Sequence, residues 1–173
     1  HEIKLRIRKE KKDANIRRRR MGALCVSDSL DSSSVESVRI EEVGNAMNTL
    51  AQRIATTEET LSAIRYIRKI LGAQKVDTNV VNFVVQAGLV PKLLTILKQQ
   101  PEYPVALIAE TILTLTNLSA LGGNACLGIG KTVETLAPFI HHDHPDIRTQ
   151  TAWCLGNIAT ENDSYRNWLI RHN

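Results

Sequence analysis

The segment Thr151–Thr160, TAWCLGNIAT, decides how this chain folds. It reads as the end of a helix, and it places Trp153 and Asn157 four residues apart on one stripe, where core filling would ask for another leucine. When the long helical segments are aligned by their ends, Asn157 falls in register with Asn117 and Gly72, at separations of 40 and 45 residues. One turn earlier in each stand Trp153, Leu113 and Arg68. The shorter segments agree, because Gly88-Leu89-Val90-Pro91 corresponds to the region from Gly130 to Glu134 with one extra residue in the latter.

Working outward, the same texture begins near Glu41. Val43, Met47, Leu50 and Ile54 are spaced as one helix face. Thr56 and Glu59 form a capping box that opens a second helix with the stripe Leu61, Ile64, Ile67, Ile70 and Leu71, closed by Gly72. Asp77 and Gly88 bound the next apolar segment, and Pro91 sits in the first turn of the one after it. Asp146 is placed to cap the helix that contains Trp153. No run with strand periodicity and turn punctuation is left over, so the fold class is all-α. A period of about 40–47 residues built from two or three helices is that of a HEAT or armadillo α-solenoid. About three repeats are expected, at about 41–87, 88–129 and 130–173, with the last running into the start of a fourth.

Charge divides the chain. Residues 1–20 hold ten of the 22 Lys and Arg and three of the 18 acids, a balance of +7, whereas the remaining 12 bases and 15 acids give −3. Residues 1–21 are too charged to bury a core and read as a flexible basic arm that a partner orders, and the Ser-rich residues 22–40 read as a linker. Cys25, Cys126 and Cys154 are odd in number and scattered, which suggests neither a disulfide framework nor a zinc site. There is no membrane-length apolar run and no secretory h-region. No nucleophile, base and orienting group meet in one motif, so neither an enzyme nor a small-molecule substrate is expected.

QAGLVPKLL (86–94), AETILTLTNLSA (109–120) and TAWCLGNIATENDSYRNWLI (151–170) resemble the first armadillo repeats of the importin-α family, and LRIRKEKKDANIRRRRM (5–21) resembles the distal half of that family's importin-β-binding segment. The resemblance implies a right-handed superhelix and an adaptor, without catalysis or cofactor, found in cytoplasm and nucleus. Its implied partners are importin-β and cargo proteins with basic nuclear localisation signals. Lys11, Lys12, Arg17, Arg18, Arg19 and Arg20 would bind importin-β or dock into the chain's own groove as a pseudo-signal. Glu161 would hold a signal lysine, while Leu113 departs from the family by replacing a tryptophan. The closing YRNWLIRHN resembles the first helix of a fourth repeat, which suggests a piece of a longer solenoid.

The chemistry of such a groove follows from the side chains themselves. Third helices packed roughly 8–10 Å apart match about three residues of an extended peptide. A carboxamide both donates and accepts, so Asn117 and Asn157 could hold a peptide backbone, and Trp153 offers a wall for a Lys or Arg stem and a face for its charge. Trp153 could equally be core, and the asparagines could bond locally near helix ends. Their shared register favours the ladder. A second function also fits: an armadillo scaffold that binds some other extended acidic or neutral segment.

Three further motifs read as bland. Arg17–Arg20 could be a nucleic-acid patch, but no aromatics are interleaved with it. GIGKT (128–132) lacks the glycine at Ala125 that a phosphate loop needs. His141, His142 and His144 have metal-donor chemistry, yet adjacent histidines before Pro145 read as a solvated turn.

Overall fold

A computed structural model describes residues 40–52, 54–73, 76–99, 102–122, 132–161 and 163–172, all within one compact unit, Glu36–Asn173. A second unit, His1–Val35, lies outside the described residues.

The first helix, α1, spans Ile40–Ala51 and buries Val43, Ala46 and Met47. It stops short of Ile54, which is 89% exposed rather than part of the expected apolar face. Just beyond, Thr56 leaves the helical region (ψ 160°) to cap the next helix, so the first helix cannot run on through it. That next helix, α2, spans Thr57–Leu71. Its capping box is formed as the sequence predicts, with the Glu59 N–H donating to Thr56 Oγ1 at 3.2 Å and the Thr56 N–H donating to Glu59 Oε2 at 2.7 Å. The Thr56 backbone N–H, and then its hydroxyl, hold the Glu59 carboxyl below the ordinary range.

Helix α3, Thr78–Gln86, is capped by Asp77, whose Oδ1 accepts the Asn79 N–H at 2.8 Å. Gly88 then takes φ +80°, a left-handed conformation that a Cβ would strain, and turns the chain into α4, Leu89–Lys98. Helix α5, Val105–Ala120, is buried throughout from Thr114 to Ala120. Such a position would penalise hydroxyls unless they were bonded, and each of its threonines donates back to a carbonyl one turn earlier: Thr111 to Leu107, Thr114 to Glu110 and Thr116 to Ile112, at 2.7–2.9 Å.

A short α6, Val133–Leu136, continues as a 3-10 turn, Ala137–His141, followed by α7, Pro145–Glu161, and α8, Asp163–His172. Asp146 is not a cap. Pro145 opens α7, so Asp146 lies inside its first turn, where its charge complements the positive end of the helix.

Helix α5 is the centre of the packing, lying against α2 on one side and α7 on the other, with α4 also against it. Ile64, Ile67, Leu71, Leu93, Ile112, Leu115 and Leu118 are among the side chains sealed in the shared core. Each contributes roughly 1.5–3 kcal/mol by leaving water. Among the described residues there is no strand, and no single helix is long and apolar enough to cross a membrane.

Candidate functional site

The three long helices α2, α5 and α7 stand side by side in that order. Arg68, Leu113 and Trp153, which share a register position in the sequence, are all half-buried. Among the described residues, neither Leu113 nor Trp153 is part of the sealed apolar core. Trp153 stands over a helix whose buried side is taken by Thr151, Cys154, Leu155 and Ile158.

The asparagines depart from the expected open ladder. Asn117 and Asn157 are each only 3% exposed, and their amide nitrogens are turned onto the preceding long helix. Asn117 Nδ2 donates to the Arg68 carbonyl at 3.2 Å. Asn157 Nδ2 donates to the Thr116 carbonyl at 3.4 Å and to Ser119 Oγ at 3.2 Å. Both carbonyls lie near the end of the preceding helix, where that of Arg68 already takes the Gly72 N–H at 2.9 Å and that of Thr116 the Ser119 hydroxyl at 2.8 Å, so each asparagine adds a second donor to a carbonyl that has two lone pairs. Both side chains therefore act as staples between successive long helices, which is neither the open ladder nor the local helix-end bonding that the sequence offered.

Gly72 acquires a different explanation as well. It closes α2, but in ordinary right-handed backbone (φ −87°), so positive φ is not what demands glycine. A Cβ at this position would lie 2.9 Å from Asn117 Nδ2. The missing side chain is the space that the staple occupies.

Sequence reasoning missed an ionic cluster beside this staple. Arg65 Nε donates to Glu110 Oε1 at 3.1 Å, and Arg68 Nε lies 2.6 Å from Glu110 Oε2. Two guanidinium groups on α2 thus share one carboxylate on α5. The signal was present: Glu110 is 45 residues after Arg65, the same offset that relates Gly72 to Asn117. Opposite charges one repeat apart were the clue.

Other candidates fall elsewhere. Lys11, Lys12, Arg17, Arg18, Arg19 and Arg20 lie outside the described residues, as do positions 128–131 of the glycine-rich GIGKT. Glu161 ends α7, and its side chain is outside what is described. In the histidine turn, His142 Nδ1 accepts the His144 N–H at 3.0 Å and the His142 ring stacks on Phe139, which commits one ring nitrogen to the turn itself. Among the described residues no cluster of His, Cys, Asp or Glu suits a metal ion.

Residues 131–160 match the model of the armadillo/beta-catenin-like repeat. Among solved structures, a crystal structure of an engineered protein aligns with a TM-score of 0.63 at 20% identity, covering 75% of this chain and 51% of that one. A designed armadillo repeat protein in complex with the peptide (KR)4 aligns with a TM-score of 0.63 at 17% identity, covering 75% of this chain and 52% of that one. The chain thus spans about half the length of either. With a repeat match on the Trp153 helix and three long helices stapled in a row, the chain has an all-α armadillo-repeat solenoid fold.

Proposed function

We propose that this chain is a nuclear-import adaptor that binds an extended basic signal peptide along the α2–α5–α7 row and importin-β through its basic arm, moving between cytoplasm and nucleus. The observation that carries the peptide site is Trp153, half-exposed at the register position of Arg68 and Leu113. An indole face there gives the stem and charge of a Lys or Arg a place to lie. The similarly folded designed protein whose structure holds (KR)4 supports a basic ligand on this architecture. Residues 5–21 support the importin-β partner through their resemblance to that binding segment.

A specific observation favours a second reading. With Asn117 and Asn157 only 3% exposed and bonded between helices, their amides serve cohesion, as in a scaffold without import activity. Titration of the full chain with a basic signal peptide separates the two. The import reading expects binding that Trp153→Ala weakens by roughly three- to thirtyfold, the loss of a cation–π contact. It also expects tighter binding once residues 1–21 are deleted, because a tethered basic segment competes at an effective concentration on the order of millimolar. Indifference of the wild-type chain to the peptide would leave the scaffold reading standing.

A further inference from the structure

The surface that would receive a peptide is not uniform along its length. At the α7 end it offers Trp153. In the middle it offers the half-buried Leu113. At the α2 end it offers the guanidinium groups of Arg65 and Arg68, both set against the carboxylate of Glu110. Glu110 is only 17% exposed and is held from both sides, so it is spent as an acceptor for any incoming lysine. Arg65 keeps its side chain 46% exposed and touches Glu110 through Nε. That contact leaves the terminal nitrogens of its guanidinium fork, the pair suited to gripping a carboxylate in two parallel bonds.

Resting on the peptide-binding reading above, we propose that this groove selects an extended segment of mixed charge, with a carboxylate side chain over Arg65 at the α2 end and a basic residue on Trp153 at the α7 end. A uniformly basic ligand would bring its last cations against Arg65, whose carboxylate partner Glu110 is shared with Arg68. Two helix-to-helix steps span roughly 16–20 Å, which an extended chain covers in about five to six residues. The acidic and basic ends of the ligand should therefore be separated by that many positions.

The test uses the full chain and three labelled peptides, (KR)4, EEGSGSKRKR and its reversed sequence KRKRGSGSEE, titrated at a fixed ionic strength of about 0.15 M, where exposed charges are screened beyond about 8 Å. One of the two mixed peptides should bind more tightly than (KR)4. Arg65→Glu should weaken that mixed peptide by roughly fivefold or more and strengthen (KR)4, a change on the scale of one exposed ion pair made and lost. Arg65→Ala should move both in the same directions by less, and Lys98→Glu on α4 should move neither. The proposal is overturned if wild type prefers (KR)4 to both mixed peptides, or if Arg65→Glu shifts all three alike. Binding of (KR)4 with no response at Arg65 sinks this inference and leaves the basic-peptide reading intact, whereas no binding of any of the three removes both.

Discussion

The joint between α2 and α5 and the joint between α5 and α7 use an asparagine at the same register position, yet they are built differently around it. At the first, Asn117 reaches one carbonyl through a gap left by Gly72, and the outer edge is ionic, with Arg65, Arg68 and Glu110. At the second, Asn117 itself stands at the register position of Gly72, and Gly156 beside Asn157 has no atom within 4 Å of where a Cβ would lie. Asn157 reaches both Thr116 and Ser119, and the Thr116 hydroxyl crosses to the Gln150 carbonyl at 3.2 Å. One joint is a staple with a charged rim, and the other is a neutral polar seam sealed from solvent. A repeat therefore preserves the donor while leaving the acceptor's surroundings free to change.

The largest expected effect sharpens this contrast. Asn157→Ala should destabilise the chain by about 1–3 kcal/mol, because it strips a buried seam of a donor shared by two acceptors. Asn117→Ala should cost less, as it removes one bond to a carbonyl that keeps the Gly72 N–H, where Asn157→Ala removes bonds to both Thr116 and Ser119. Denaturant midpoints for the two variants decide the matter, and equal losses would erase the distinction between the joints.

Next in size is the clearance at residue 72. Gly72→Ala should cost about 1 kcal/mol in the wild-type chain by forcing the Asn117 amide off the Arg68 carbonyl. In an Asn117→Ala background the same change should be neutral or stabilising, since alanine adopts this right-handed backbone readily and narrows the unfolded ensemble. A double-mutant cycle with no coupling would mean that the glycine serves something else.

The charged rim should be weak and salt-sensitive. Arg65→Ala should lower stability by no more than about 1 kcal/mol, an effect that shrinks as salt is raised. The asparagine variants should show no such salt dependence. Parallel melts at low and high salt give the comparison.

The smallest effect is a pH response at the outer side of α2. The Tyr66 hydroxyl donates to Glu42 Oε2 at 2.6 Å, and burial, together with that carboxylate, pushes its pKa up to about 12. A folded-state value above the ordinary tyrosine value of 10 means that the contribution is complete below pH 10 and lost as pH rises toward 12. Tyr66→Phe should flatten the stability profile in that window, as followed by thermal melts between pH 9 and about 12.

Local chemistry made much of this fold readable in advance. The Thr56–Glu59 box, the Asp77 cap, the turn at Gly88 and the proline of α4 each act within four residues, and the structure contains all of them. Ile54 misled because its spacing continued a helix that the cap at Thr56 could not allow. Gly72 was read as a stop signal, although the atom that requires it lies on a residue 45 positions later. The burial of the asparagines was not legible for a similar reason. Register places a carboxamide on a stripe, but whether the amide meets a guest backbone or a neighbouring helix end depends on a fraction of a turn. The Arg65–Glu110 pair could have been found by sliding the sequence by one repeat and looking for opposite charges.

The direction of the staples has a consequence for how the chain is made. In both joints the asparagine donor belongs to the later helix and its acceptor to the earlier one, although Arg65 and the Thr116 hydroxyl donate in the opposite sense. As the polypeptide leaves the ribosome, each new long helix brings its own fastening to a predecessor that has already been synthesised, so cohesion accumulates from the amino end without waiting for sequence still to come.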